Sequence, residues 1–248
     1  MTKIEWTERV WNPVTGCTPV SEGCENCYAE RMAKRLAGRF GYPKGEPFRV
    51  TLHEDRLEQP LHWKKPSLVF LPSMGDLFHP KVKSQYIAEV FDKIAIAKQH
   101  TFLIVTKRPK RMKAVLEGFQ DIWECSCSGW PFKNVWLGVT VENQARSDER
   151  IPILLQIPAA VRFVSVEPML GPVDIRKYLE ELSWVIAGCE SGPKRRLTTA
   201  PWIRSLKNQC RAYNIPFFLK QMEVDGKIVK MPEFDGREWN EVPEVLTK

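Results

Sequence analysis

The chain has 248 residues, of which 43% are hydrophobic, and its formal net charge of +7 gives a pI near 9.0. The apolar content allows a sizeable core in one large domain or two small ones, and the absence of any run of about 18 apolar residues argues against a membrane span. The positive charge is typical either of a protein with an anionic partner, of which nucleic acid is the commonest, or of the many soluble enzymes that are mildly basic.

The N-terminal stretch, MTKIEWTERVW, is charged and lacks the apolar core of a secretion signal. We therefore expect a cytoplasmic protein. In that reducing compartment the seven cysteines are expected to be free, catalytic or metal-bound rather than paired in disulfides.

Three cysteines are concentrated in the stretch Thr15–Tyr28, TGCTPVSEGCENCY. They are Cys17, Cys24 and Cys27, with the spacing C-x6-C-x2-C. Thiolates at this density are expected to bind a metal or to be oxidised together. Three ligands, rather than four, suit a metal site that leaves one position open for another molecule.

Six short apolar runs follow, each ending in a polar or glycine-bearing turn, and helix-like stretches follow most of them. The predicted strands are 67–71, 101–105, 134–141, 161–166, 184–187 and 216–219, and the predicted helices are 83–98, 110–118, 148–155 and 201–213. Apolar strands separated by helices are typical of parallel βαβ units. With an extended piece before Cys17, we predict an α/β fold: a partial or near-complete (βα) barrel of about six to seven parallel strands. A doubly wound open sheet is the second choice.

The predicted barrel covers residues 1–222, with insertions at 39–65 and 117–133, and residues 223–248 form a C-terminal cap or tail. Asp225-Gly226 in this tail predicts a hairpin turn. Polar residues cluster where the predicted strands end. In a parallel barrel these ends open on one face, where sites are built.

Zinc is one interpretation of the three cysteines. A structural zinc site normally has four protein ligands. Cys24 and Cys27 would form one pair, Cys17 would be the third ligand, and Cys125, Cys127 or a histidine the fourth. The protein would then be a zinc-stabilised nucleic-acid-binding protein without catalysis.

A [4Fe–4S] cluster is the other interpretation, because three thiolates leave one of its four irons without a protein ligand. The three-cysteine loop resembles that of the radical S-adenosylmethionine enzymes, which typically use C-x3-C-x2-C after the first strand of a partial (βα)6 barrel. The resemblance implies that the open iron chelates S-adenosyl-L-methionine. Reduction by an external one-electron donor would then yield a 5′-deoxyadenosyl radical that abstracts a hydrogen atom. This sequence differs in its six-residue first gap and in Asn26, where an aromatic residue is common.

Most of the chain also resembles a phage-associated family of unknown function that carries the same motif. The matching stretches are WNPVTGC, CYAERMAKRL, SMGDLFHP, LIVTKRPKRM, NVWLGVTVENQ, RFVSVEPMLGPVD, WVIAGCESGP, PWIRSLKNQC and PFFLKQ. By analogy with the radical enzymes, strand-end residues would contact the cofactor; for Asp76 a helix cap is an equal interpretation. These candidates are Ser73, Gly75, Asp76, Thr140, Glu142, Ser165, Glu167 and Glu190.

Two basic clusters at strand ends could clamp phosphates, although solvated loop charge is the alternative. Trp123, Trp130 and Tyr42 could stack on a base or pack internally. Together, the basic clusters and the aromatic residues favour a nucleic acid or a nucleotide as the substrate. The reaction would then be base modification, or photoproduct repair as in the spore photoproduct lyase branch. Cys189 is a candidate hydrogen donor or a buried structural thiol. The basic residues are Lys107, Arg108, Lys110, Arg111, Lys194, Arg195 and Arg196.

Overall fold

A mainly parallel sheet of eight strands forms the centre of the computed structural model, which describes residues 4–125 and 129–244. The strands in chain order are β1 Arg9–Val10, β2 Val14–Thr15, β3 Thr51–Leu52, β4 Leu68–Leu71, β5 Thr101–Thr106, β6 Val135–Thr140, β7 Val161–Val166, β8 Trp184–Gly188, β9 Phe217–Val224, β10 Lys227–Lys230, β11 Glu233–Phe234 and β12 Arg237–Glu238. The α-helices are α1 Tyr28–Arg35, α2 Ser84–Ile96, α3 Pro109–Glu124, α4 Gln144–Leu155 and α5 Ala200–Ala212. Short 3₁₀ helices cover Glu22–Cys24, Glu54–Arg56, Gln59–His62 and Arg176–Glu181.

The strand order of the main sheet is β1-β4-β5-β6-β7-β8-β9-β10. All neighbours are parallel except β9 and β10, which form an antiparallel hairpin. Right-handed crossovers that always proceed in the same direction place their helices on one face. The predicted α/β class with a mainly parallel sheet is therefore confirmed. The doubly wound alternative is wrong, because that fold needs a reversal of strand order.

Two apolar layers cover the two faces of the sheet. Alternate strand residues such as Ile104 and Leu137 pack outward with the helices, and their neighbours Leu103 and Trp136 point to the other face. That other face is packed by strand side chains and by Trp6 rather than by helices. Period-two alternation thus produces a sheet that is buried on both faces.

The inner face is concave. Trp184 on β8 lies five strands from β1, which would be roughly 24 Å in a flat sheet. Yet its ring centroid is 6.1 Å from that of Trp6, three residues before β1. On the other side of the gap, Lys230 of β10 lies 2.6 Å from Glu5. The sheet therefore curls into an open half-barrel whose two edges face each other across the N-terminal segment.

Two helices extend beyond their predicted bounds. Helix α3 continues six residues past Gly118, because Phe119 and Trp123 prolong its apolar face. A β-carbon on Gly118 would meet no atom within 4 Å, so the glycine is not required there by close packing. Helix α4 begins at Gln144, since the Asn143 side chain accepts a hydrogen bond from the Arg146 amide at 3.1 Å. A polar turn that follows a strand can therefore double as a helix cap.

The Asp225-Gly226 hairpin turn is confirmed, with both residues at positive φ between β9 and β10. The predicted boundary after residue 222 falls within β9. The chain beyond it adds β10 to the sheet and packs Trp239 against Phe217, with ring centroids 6.2 Å apart. Among the described residues, no helix combines the length and apolarity needed to span a membrane.

The aromatic residues of the insertions pack internally. Trp123 is stacked on Phe91 with ring centroids 5.1 Å apart, and Trp130 lies 5.2 Å from Trp123. Trp123 and Tyr42 are buried, and Trp130 is partly buried against the main core. Internal packing therefore accounts for Trp123 and Tyr42, whereas base stacking by the partly buried Trp130 stays a prediction.

His53 supplies a pH-dependent contribution to stability. Burial lowers the pKa of His53 to about 4, and its Nε2 lies 2.8 Å from the Thr15 hydroxyl. Because the folded state binds this proton more weakly than the unfolded state, stability is lost as pH falls from about 6.5 to 4. Between pH 6.5 and pH 4, the free energy of unfolding of the wild type should therefore fall by about 3 kcal/mol more than that of His53→Gln.

Urea unfolding of both proteins at pH 7 and pH 4 would measure this difference. His62→Gln, at an exposed histidine, is the matched control and should retain the wild-type pH dependence. Equal pH dependence in the wild type and His53→Gln would contradict the assignment.

Candidate functional site

A cavity of about 490 Å³ opens at the carboxyl ends of the parallel strands, beneath the loop that carries the three cysteines. All three cysteines line it, together with apolar side chains of the inner face such as Phe70 and Val105. A second concavity, of about 600 Å³, lies between the two 3₁₀ helices at 54–62 and α2, where it is lined by acidic side chains and no cysteine. The predicted residues that line the first cavity, beneath the cysteine loop, are Cys17, Cys24, Cys27, Ser73, Gly75, Asp76, Lys107, Arg108, Thr140, Ser165, Glu167, Cys189 and Glu190.

Two glycines allow the cysteine loop to approach the strand ends. Gly16 forms a bridge to Gly75, and a β-carbon on Gly75 would lie 2.9 Å from the Gly16 carbonyl oxygen. A β-carbon on Gly23 would lie 2.4 Å from the Glu142 side chain. Glycine is therefore required at these places by close packing. Gly75 has this packing role as well as its place on the cavity wall.

Cys17 is held by the ends of β4 and β5. Arg108 Nη1 donates to Cys17 Sγ at 3.3 Å and to Asp76 Oδ2 at 3.0 Å. Asp76 also accepts from the Thr106 hydroxyl at 2.8 Å. Burial raises the pKa of the Cys17 thiol to about 11, and the Asp76 carboxylate adds to this effect. Cys17 is therefore a thiol at neutral pH unless a metal replaces the proton.

Cys24 is held from the end of β6. The Ser21 hydroxyl lies 3.9 Å from Cys24 Sγ and donates to Glu142 Oε1 at 2.7 Å. Glu142 is fully buried, and its other oxygen lies 3.0 Å from Arg150 Nη1. Glu142 does not line the cavity; it connects the cysteine loop to helix α4.

Cys27 is held from the end of β8 through its neighbour Asn26. Asn26 Nδ2 donates to Glu190 Oε2 at 2.9 Å, and Arg196 Nη2 lies 2.6 Å from Glu190 Oε1. Burial alone would raise the pKa of Glu190, but the hydrogen bonds from Arg196 and Asn26 outweigh it and lower that pKa. Three strand-end carboxylates thus fix three points of the loop.

Other strand-end side chains remain directed at the cavity. Thr140 and Ser165 are paired across β6 and β7, and neither hydroxyl has a hydrogen bond within the described part of the chain. Glu167 is ion-paired with Lys220 at 2.5 Å, and both line the cavity. Ser73 lies 3.3 Å from Asn12. The cavity therefore offers two hydroxyls and one ion pair to a polar ligand.

The basic clusters are largely engaged with partners inside the protein. Lys107 lies 3.7 Å from Glu142, and Arg195 lies 2.6 Å from Glu223. Arg111 donates to the Val82 carbonyl oxygen. Arg108 is paired with Asp76, and Arg196 is paired with Glu190. Lys110 and Lys194 are exposed, so the two clusters present fewer available cations than the sequence indicates.

The remaining cysteines are separated from the loop or buried. Cys125 follows α3, whose 16 residues start beside the cavity and span about 24 Å. Cys125 is therefore too distant to be a fourth ligand, and the prediction for Cys127 lies outside the described residues. Burial raises the pKa of Cys189 to about 11, with Glu167 adding to the effect. Cys189 is thus a protonated thiol on the cavity wall.

The donor set suits an iron–sulfur cluster. Three free thiols face one cavity, and soft thiolate ligands favour iron–sulfur clusters or zinc. Within the described residues, no three His, Cys, Asp or Glu side chains are close enough together to bind a single ion. A cluster makes a different demand, because each of its thiolates binds a separate iron.

Arg150, Ser21, Asn26 and Lys220 belong to the site but were not among the predicted residues. For Arg150 a signal was present, because it shares the spacing of Ser147, Ile151 and Leu154 on the apolar face of α4. A charged residue on such a face indicates a buried ion pair. Lys220 directly follows the predicted strand 216–219, which is the position shared by the other strand-end candidates, whereas Ser21 and Asn26 have no comparable local signal.

A known protein family matches the chain over nearly all of its 248 residues. Searches of curated proteins and of solved structures found no significant match. A family model described as a protein of unknown function, DUF5131, matches residues 1–243. This match includes the cysteine loop, every strand of the half-barrel and the cavity residues, so the chain belongs to the DUF5131 family.

Proposed function

We propose that the protein is a radical S-adenosylmethionine enzyme in which Cys17, Cys24 and Cys27 hold a [4Fe–4S] cluster. The observation that carries the proposal is that three free thiols on one loop line a single cavity at the carboxyl ends of a half-barrel's strands. When bound, the cluster would supply the electron that cleaves S-adenosyl-L-methionine to the 5′-deoxyadenosyl radical.

The cavity supports a role in binding that cofactor. Hydroxyls such as those of Thr140 and Ser165 can hydrogen-bond to ribose or carboxylate oxygens. Glu167 and Lys220 can accept from and donate to the amino-acid part of the cofactor. The apolar floor, which includes Phe70, suits a flat adenine ring.

The carboxylates that anchor the loop have a different part in this proposal. Asp76, Glu142 and Glu190 direct their oxygens to arginine, serine or asparagine side chains of the protein. They would hold the three thiols in place, and ligand contact would fall to the side chains that still face the cavity. Preorganised ligands of this kind reduce the ordering that a metal group must impose when it binds.

For the substrate we propose a nucleic acid or a nucleotide, modified or repaired through the radical. Support comes from the net charge of +7 and from the exposed Lys110 and Lys194, which follow the cavity residues of β5 and β8. These two lysines can contact phosphate oxygens, whereas the paired arginines are committed to carboxylates.

Anaerobic reconstitution tests the cluster. We expect brown protein with about four irons and four sulfides per chain. After reduction with dithionite, its electron paramagnetic resonance spectrum should change when S-adenosyl-L-methionine is added, and 5′-deoxyadenosine should form. Colourless protein that binds one zinc and no sulfide would overturn the proposal and support the zinc-stabilised binding protein.

A further inference from the structure

Arg108 is the one predicted phosphate-binding residue whose side chain contacts a cysteine of the loop within the described residues. Its Nη1 donates to Cys17 Sγ at 3.3 Å, and its Nη2 donates to the Thr18 carbonyl oxygen at 2.8 Å. Only 9% of the Arg108 side chain is exposed, against 7% for its partner Asp76. The guanidinium is therefore fixed beside one sulfur and shielded from solvent.

We propose that Arg108 sets the reduction potential of the cluster by stabilising its reduced form through Cys17. This inference rests on the proposed function. In the step concerned, an external one-electron donor is oxidised, the cluster gains one electron, and no bond to Arg108 forms or breaks. Because reduction adds negative charge, a cation that donates to a ligand sulfur favours the reduced form.

The position of Asp76 determines the sign of the effect when Arg108 is neutralised. Asp76 keeps its hydrogen bonds from Thr106 and from the Phe78 amide, at 2.8 and 2.9 Å, so its carboxylate would stay in place. Without the guanidinium, that negative charge near Cys17 would no longer be compensated. Both changes disfavour an added electron, and the low exposure limits solvent screening.

The test compares Arg108→Gln with the wild type by redox titration followed by electron paramagnetic resonance, without S-adenosyl-L-methionine or substrate. Glutamine retains an amide donor but removes the charge. We expect unchanged iron and sulfide content and a roughly tenfold loss in the stability of the reduced form. For a one-electron couple this corresponds to a shift of about 59 mV to more negative potential.

Two further variants sharpen the result. Arg108→Lys keeps the charge without the planar fork and should have a potential between those of Arg108→Gln and the wild type. Lys98→Gln removes an exposed charge between α2 and the start of β5, at the opposite end of the strands from the cavity, and its potential should equal the wild-type value.

Each outcome has a distinct meaning. If wild type and Arg108→Gln both bind about four irons with equal potentials, the inference fails and the proposed function stands. Loss of the cluster in Arg108→Gln alone would also overturn it, since Arg108 would then only hold the loop. A wild-type protein that binds no cluster would refute the proposed function itself.

Discussion

Cys24→Ala is expected to lose nearly all of the bound iron and all formation of 5′-deoxyadenosine, because two thiolates leave two irons of a cluster without protein ligands. Cys24 lines the cavity and lies on the 3₁₀ helix that Ser21 and Glu142 hold in place. Iron and sulfide assays after anaerobic reconstitution measure the loss, and the protein should be colourless, without visible absorption from a cluster. Full iron content in Cys24→Ala would contradict the ligand assignment.

Cys125→Ala is the control for this prediction. Cys125 is exposed and lies at the far end of α3 from the cavity. If the three loop cysteines hold a cluster, Cys125→Ala should retain the wild-type iron content. Loss of iron in Cys125→Ala as well would show that removing any cysteine disturbs the cluster, and Cys24→Ala would then not identify a ligand.

Glu142→Gln is expected to have the largest effect on stability, lowering the free energy of unfolding by about 3 kcal/mol or more. The reason is that Arg150, whose side chain is only 2% exposed, would keep a buried charge without its carboxylate partner. The loop would also lose the charged acceptor of Ser21. Guanidinium unfolding midpoints with unchanged m-values would measure the difference.

Glu149→Gln is the matched control, because it makes the same chemical change at an exposed ion pair on helix α4, the helix that carries Arg150. Glu149 lies 2.7 Å from Arg146, and 45% of its side chain is exposed. An exposed pair of this kind contributes at most about 1 kcal/mol. Equal destabilisation by the two variants would show that burial of the Arg150 pair is not the cause.

The predicted strands agree closely with the structure because each depends on a short apolar run. Val161–Val166 matches β7 at both ends, and the other five predicted strands overlap β4, β5, β6, β8 and β9. The Asp225-Gly226 turn was equally local. The predicted helix ends were less accurate than the predicted strands, because α4 begins with a side-chain cap and α3 continues into an aromatic cluster.

The roles of the strand-end residues depended on partners far along the chain. Arg108 reaches Cys17 across 91 positions, and Asn26 reaches Glu190 across 164. No local pattern distinguishes a carboxylate that faces a cavity from one that holds a loop. Sequence reasoning therefore named Asp76, Glu142 and Glu190 as cofactor contacts, and only the structure shows which protein side chains they already bind.

The cysteine spacing, the α/β class and the order of apolar strands can be read from the sequence, because short-range periodicity and composition encode them. The curl of the sheet, the cavity beneath the loop and the pairing of arginines with carboxylates needed the tertiary structure. These features arise only when residues distant in the chain become neighbours, so that burial and charge decide which groups remain free to bind a ligand.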